Sequence, residues 1–424
     1  MARTLGVIPQ NEKYRATKAS PMSLKPRLLA IVPADYDALQ RKGVLDMVFE
    51  RDEGGFFERV ITIHPVARET RRMSLNDTHV LYEFGLKRFG QFAKRRVLKW
   101  LVFVVHFLCM VPKVIVLARE EGVSVVRAHD PYWMGLLGYI VSRLRRIPLC
   151  VSLHADYEKR HELTGGGATY TFFGFRLPAR LLSNWVLSKA DLVMPIRESL
   201  AKWAVANGAR RDKVRVIPHG LSLEPFLHAP SAGFLESLGI EKNKHIVSFV
   251  GRFSKENYID EIIEVGRRLA MRRQDFTLVL VGGGDDEARI RESILKDELL
   301  SRAIIAIGFQ PRTVCIQLRM MSTVSLCLMG GFSLIEACMA GSPVVAYDVE
   351  WHAELVRSGI TGFLIKEHDI ADIVRSVEHC MDNPDEAKEL GANAKRLAWE
   401  KHDIRITSST KRRCYAELLG WQYD

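Results

Sequence analysis

The chain has 424 residues, 47% hydrophobic and 26% charged, which is too long for a single core and suits two globular domains. Its seven cysteines form no C-x-x-C pair and mostly sit in apolar runs, which argues against a disulfide framework or a zinc site and fits a reducing compartment. The net charge of +11 is uneven, with 36 Lys and Arg against 20 Asp and Glu in residues 1–216, a net +16, and −5 over the other 208. A basic first half suits an anionic partner such as a phosphorylated substrate or an anionic membrane. No aromatic-interleaved basic stripe is present, which argues against nucleic acid.

Residues 1–24 lack periodicity and are expected to form a mobile tail. The first apolar run, residues 28–32, is too short and too late for a signal peptide, so the expected location is cytoplasmic, at the inner membrane face if the basic half meets lipid. Strand-like runs at 28–32, 59–63, 124–128, 148–153, 191–195 and 214–217 alternate with helical segments. That alternation predicts a parallel sheet covered on both faces. Residues 97–117 (VLKWLVFVVHFLCMVPKVIVL) are the most hydrophobic stretch. Lys99, His106, Pro112 and Lys113 interrupt it, so a packed crossover helix is expected rather than a membrane span. The basic KRRVLK at 94–99, with Lys87 and Arg88, leaves a peripheral contact with an anionic membrane open.

VIPHGLSLEPFLHAP (216–230) has the Pro and Gly density of an interdomain connection. A second series follows, with strands at 245–250, 276–281 and 303–307 and helices near 258–273, 285–296 and 313–321. Gly282, Gly283 and Gly284 read as a plain strand-to-helix turn, since Asp285 and Asp286 oppose phosphate there. Residues 324–365 then give a strand, a Gly330–Gly331 turn, a helix entered at Ser333, a second strand at 343–347 and a third after a Thr-Gly turn. From about 369 the chain is expected to be helical. A Gly-Gly turn before a helix N-terminus presents several amides to an anion, and Glu336 one turn on suits ribose hydroxyls. A capping box between Ser333 and Glu336 explains the same residues without a ligand. No G-x-G-x-x-G or P-loop is present.

Several segments together resemble the family 4 retaining glycosyltransferases (glycosyl transferases group 1). They are RAHDPYWMGLLG (127–138), PLCVSLHADY (148–157), ADLVMPIRES (190–199), VRVIPHGLSLEPF (214–226), HIVSFVGRFSKEN (245–257), LVGGGDDEARI (280–290), IIAIGFQPR (304–312), FSLIEACMAGSPVVAYD (332–348) and ELVRSGITGFLI (354–365). The resemblance implies a GT-B α/β fold, two doubly wound Rossmann-like domains facing across a cleft. It divides the chain into an acceptor-side domain at 25–218, a nucleotide-sugar domain at 219–398 and a C-terminal helix at 399–424 packing back on the first.

The same resemblance implies sugar transfer from a nucleotide donor to a saccharide or lipid-linked acceptor, with retention, as in polysaccharide biosynthesis. It assigns His154, Arg252 and Glu336 to catalysis. Gly251, Arg252, Lys255, Gly330, Gly331, Phe332, Ser333, Leu334 and Glu336 would hold the nucleotide, and Asp35 and Asp156 the acceptor. No cofactor or metal is expected: Arg252 and the helix N-terminus can take the charge developing on a diphosphate leaving group. Two positions depart from the family. Asn257 stands where it has a lysine, and Leu328 where it has a glutamate that contacts the donor sugar. They favour a divergent enzyme, or a scaffold that binds nucleotide sugar or a partner without turnover. A hydrolase metal site in HADYEKRH (154–161) is a weaker alternative.

Overall fold

The computed structural model describes residues 25–33, 35–41, 48, 50–86, 96–155, 176–241 and 243–421. Residues 1–24, Lys87, Arg88, Asp156 and His161 lie outside the described residues. The chain divides into two compact units, one running up to His219 and resuming at Thr407, the other spanning Gly220–Ile406.

In the first unit, β1 (Arg27–Ile31) leads through a short helix α1 (Tyr36–Arg41) to β2 (Arg59–Ala67). A hairpin of β3 (Arg71–Ser74) and β4 (His79–Gly85) follows. The long helix α2 (Arg96–Glu120), β5 (Val125–Ala128), α3 (Trp133–Arg145), β6 (Leu149–Leu153), α4 (Arg176–Lys189), β7 (Leu192–Pro195) and α5 (Glu198–Ala206) then alternate. The sheet order is β3-β4-β2-β1-β5-β6-β7, parallel except for β3. The hairpin escaped the sequence reading because its strands are short and half polar. Asn76 makes the turn, its side chain accepting from the amides of Thr78 and His79 at 2.9 and 2.7 Å. The expected strand at 214–217 does run beside β7, with the Arg215 and Ile217 amides each 2.9 Å from β7 carbonyls, but Pro218 follows at once and no full strand forms.

Alternate residues of each parallel strand face opposite layers. Leu29, Ile31, Ile61, Val126 and Val151 pack under α2, α3 and α4, while Leu28, Ala30, Val60 and Cys150 pack on the other side. Helix α2 buries Phe103, Phe107, Met110, Val114 and Ala118, spaced three, four or seven apart as one helical stripe demands. It is thus a crossover helix, although Leu101–Glu120 is also long and apolar enough to cross a membrane.

The second unit repeats the design. Its elements are β8 (His245–Val250), α6 (Ile259–Ala270), β9 (Phe276–Val281), α7 (Glu287–Lys296), α8 (Glu298–Ala303), β10 (Ile304–Gly308), α9 (Arg312–Met320), β11 (Val324–Leu326), α10 (Phe332–Ala340), β12 (Val344–Tyr347), β13 (Gly362–Ile365), α11 (Ile370–Asp382) and α12 (Pro384–His402). Six parallel strands run in the order β10-β9-β8-β11-β12-β13. The chain rejoins the first unit at Thr407, later than residue 399, because α12 continues unbroken to His402. Helix α13 (Ile404–Leu418) then packs Tyr415 edge-on to Phe57 at 5.0 Å. Its Ser408 and Lys411 both reach the buried carboxylate of Glu53 at 3.2 Å. Two doubly wound parallel sheets make this an α/β protein of GT-B type.

Candidate active site

In a doubly wound sheet, ligands bind outside the carboxyl ends of the strands, where the strand order reverses. In the second unit that point lies between β8 and β11, which pair in parallel while their onward connections leave in opposite directions. The loop after β8 is Gly251–Asn257, and the turn after β11 is Gly330–Gly331. The sequence-derived nucleotide residues therefore meet.

The Arg252 loop is seated on the Gly282–Gly284 run. The Gly251 amide donates to Val281 O at 3.0 Å and the Phe253 amide to Gly283 O at 2.9 Å. Gly282 has φ +135°, and a Cβ there would lie 1.9 Å from Gly251 O; Gly284 has φ +152°, and its Cβ would lie 2.8 Å from Phe253 O. These glycines are more than a plain turn: they let two backbones touch. Phe253 is fully buried as the anchor, while Arg252 is exposed. Among the described residues the Arg252 guanidinium has no hydrogen bond or ion pair. Lys255 is exposed in a single 3₁₀ turn, Lys255–Asn257. Asn257 turns back on the loop, its amide nitrogen donating to Arg252 O at 3.0 Å. Where the resemblance expects a lysine reaching outward, this chain has a brace.

The Gly330 turn is held from below. The fully buried His352 contacts Tyr347 O through Nδ1 at 2.9 Å, and its Nε2 meets the Gly330 amide at 3.1 Å. A carbonyl accepts only, so Nδ1 donates to Tyr347 O, while Nε2 lies 3.1 Å from the Gly330 amide and 3.2 Å from Gly330 O and holds the turn through that one residue. Leu328 is fully buried in the core. The position expected to carry a sugar-binding glutamate therefore points away from the turn.

Ser333 is not the cap expected from sequence. Helix α10 begins at Phe332, Gly331 stands at the N-cap, and among the described residues no side chain accepts from the Ser333 or Leu334 amide. The Ser333 hydroxyl instead donates to Val250 O at 2.6 Å and accepts from Arg319 Nη2 at 2.8 Å, tying the helix to the end of β8. The capping box is likewise absent. Glu336 accepts from Arg312 Nε at 2.6 Å and from Arg319 Nη1. Losing both caps leaves the Ser333 and Leu334 amides open among the described residues, as an anion site requires. Each Glu336 oxygen still has a lone pair for a hydroxyl. Leu334 is fully buried and Phe332 half-buried, so both contribute backbone here.

A Cβ on Gly331 would meet nothing within 4 Å. Its φ and ψ of −98° and −105° resemble the −100° and −119° of Tyr132 at the N-cap of α3, so this backbone tolerates a side chain. No contact among the described residues calls for glycine at 331. A ligand lying against the backbone would.

Arg319 and His352 were missed from sequence. Arg319 is buried on the same helical face as Cys315 and Ile316, and a cation on an apolar stripe was the available signal. His352 sits in a turn and gave none.

In the first unit, His154 follows β6. Its ring stacks on His129 at 4.7 Å and 19° and on His219 at 5.5 Å and 25°. Burial holds the His154 imidazole well below its ordinary pKa, helped by charge repulsion from His219 and Arg127, so the ring is neutral. Its Nε2 is buried without a hydrogen-bond partner among the described residues. Asp35 lines a cavity of about 500 Å³ with Asp37, Arg68, Glu69, Arg71 and Glu83. There Arg71 pairs with Asp37 at 2.7 Å and with Glu83, and Glu83 also contacts His64 at 2.9 Å. Asp156 lies outside the described residues. The described residues hold no cluster of three or more His, Cys, Asp or Glu suited to a metal.

Residues 59–220 match the family described as Glycosyl transferase 4-like domain, and residues 234–397 that described as Glycosyl transferases group 1. D-inositol 3-phosphate glycosyltransferase of Gordonia bronchialis is 26% identical over 303 residues, 67% of this chain and 65% of that protein. The corresponding Nocardia farcinica enzyme is 25% identical over 279 residues, 63% of this chain and 61% of its own length. The chain thus spans somewhat under two thirds of these two relatives. Alpha-maltose-1-phosphate synthase of Mycolicibacterium smegmatis is 26% identical over 308 residues, 64% of this chain and 73% of that one. Among solved structures, Anabaena HepE in complex with UDP superposes with a TM-score of 0.70 at 17% identity, over 92% of this chain and 100% of that one. Sucrose-phosphate synthase of Thermosynechococcus elongatus gives 0.71 at 18% identity, over 93% and 99%. At these identities the structures speak to the fold.

Proposed function

The chain belongs to the glycosyl transferases group 1 family, and on that footing we propose that it transfers a sugar from a nucleotide donor to a saccharide or lipid-linked acceptor, with retention and without a metal. The observation that carries the reading is the uncapped N-terminus of α10 with Gly331 open beside the unpaired Arg252, at the point where the strand order reverses. The ligands bound to HepE, UDP and UDP-glucose, are consistent with a nucleoside diphosphate at such a site.

Breaking the glycosidic bond to the diphosphate leaves two electrons and growing negative charge on the leaving oxygen. The α10 amides and the rigid guanidinium of Arg252 are aimed at that charge before it develops, which is the arrangement that lowers a barrier. Lys255 adds a flexible cation. Glu336, fixed by Arg312 and Arg319, accepts the ribose hydroxyls. Within the first unit, His154, kept neutral, leaves its Nε2 unpartnered for a substrate hydroxyl, and Asp35 and Asp156 are the acceptor-side carboxylates that the resemblance implies. Arg252→Ala is expected to lower turnover by about 10²–10³ while leaving the melting temperature unchanged. Turnover near that of the wild type would refute the mechanism. Chelator-insensitive turnover and an α-configured product from an α-linked donor test the other two claims.

The inward-facing Leu328 and the folded-back Asn257 favour a second reading, a scaffold that binds nucleotide sugar without transfer. Release of free nucleoside diphosphate from donor, with and without acceptor, separates the two.

A further inference from the structure

Helices α2, α3 and α4 form one layer on one face of the first sheet, sharing a single core. Trp133 of α3 rests on Phe103 of α2 at 4.7 Å, and Tyr139 of α3 on Trp185 of α4 at 4.5 Å. A helix that buries one face against a sheet ordinarily turns a polar face to water. Here the outer face is apolar. Leu101, Leu108 and Val116 of α2 are 52%, 64% and 52% exposed, and Leu177 and Leu181 of α4 are 66% and 61% exposed. An apolar patch of this extent marks an interaction surface.

Charge identifies the partner. The three helices carry nine Lys and Arg and one acid, Glu120. We propose that this face docks on an anionic lipid bilayer, with α2 and α4 lying in the interface plane. The apolar stripes enter the headgroup boundary, Trp185 and Tyr139 sit at the depth such rings favour, and Lys113 and Arg180 reach the phosphates. Spanning would tear Phe103, Phe107, Met110 and Val114 out of the unit's own core, so α2 lies flat. A second copy of the chain is a poor occupant, because it would set basic helices against basic helices. This surface belongs to the first unit alone, so it stands or falls independently of the donor site in the second.

The test is flotation of the full chain with vesicles of phosphatidylcholine alone or mixed with phosphatidylglycerol, at low and high salt. Flotation is expected only with the mixed vesicles and is expected to fall as salt rises. Lys113→Gln and Arg180→Gln should each weaken partition about five-fold, the equivalent of about 1 kcal/mol per basic residue near an anionic surface. Leu108→Gln and Leu181→Gln should each weaken it about ten-fold. All four side chains are exposed, so unchanged melting and unchanged nucleoside-diphosphate thermal shifts establish that fold and donor site are intact. Three results overturn the inference: no flotation of wild type with mixed vesicles at low salt, variants that float as wild type does, or a dimer that Leu108→Gln dissociates, which would give the face to a second copy.

Discussion

Gly331→Ala separates ligand binding from folding more cleanly than any other change in the site. The new methyl meets no atom of the described residues within 4 Å, so no cavity fills and no contact breaks. The cost to stability is that of Ala for Gly at an N-cap, at most about 1 kcal/mol. For a diphosphate lying on the first-turn amides, the same methyl occupies the place of closest approach and forces it outward by about 1 Å, a misplacement that can cost about 10². A nucleoside diphosphate supplied at a hundred times its wild-type dissociation constant stabilises the native state by about 2.7 kcal/mol, and after a hundredfold loss by about 0.4 kcal/mol. For a unit the size of residues 220–406, a ligand-induced rise of about 5–10 °C should shrink to about 1–2 °C, read by thermal-shift titration. An undiminished shift would mean that the diphosphate does not cover Gly331. A collapsed melting temperature without ligand would mean that the glycine serves the fold.

Gly282→Ala attacks the same site from beneath. A Cβ 1.9 Å from Gly251 O must drive the Arg252 loop away until ordinary contact is restored, so both melting temperature and diphosphate affinity should fall, and retained affinity would detach that loop from the ligand. Arg319→Met should destabilise by about 3 kcal/mol in urea unfolding, because it strips a buried partner from Glu336 and Ser333. Adding Glu336→Leu should recover part of that loss but not ligand binding. The histidine column predicts acid sensitivity. Burial, then the neighbouring ring and Arg127, holds His129 and His154 well below their ordinary pKa, so folding favours their neutral forms. That stability is complete above about pH 6.5 and is lost as pH falls through the window below it, at about 1.4 kcal/mol per pH unit for each ring. His154→Gln should flatten the slope by at least one proton's worth in urea titrations below pH 7. An unchanged slope would show that His154 is protonated in the native state.

Much of the site was legible because it is local. Strand, Gly-Gly turn and helix follow one another within 324–340, and the backbone groups that an anion needs come from consecutive residues. Arg252 was legible only through the resemblance of GRFSKEN (251–257) to the family's glycine-arginine loop. The functions of Ser333 and Asn257 were not, since each side chain chose between a local partner and one brought by folding. Ser333 had a helix amide within reach, but β8 ends beside it and offers Val250 O at 2.6 Å. Asn257 reads as an outward-facing substitute for lysine until its hydrogen bond to Arg252 O is seen. The orientation of Leu328 was likewise hidden, because periodicity is lost where a strand runs into a turn.

The sequence by itself determined two alternating α/β series, their connection near residue 219, and a Gly-Gly turn before a helix that can take an anion. Those follow from hydrophobic period and turn chemistry, which act between neighbours in the chain. Only the tertiary structure decided that Gly282–Gly284 seats the arginine loop, that Arg319 fixes Glu336, and that α2 buries one apolar face while leaving another exposed. These depend on contacts between residues dozens of positions apart, set by strand order and packing rather than by any local pattern. The Gly330–Gly331 turn belongs to both accounts. Sequence marked it as an anion site, and the fold removed its caps and left Gly331 without a steric reason of its own.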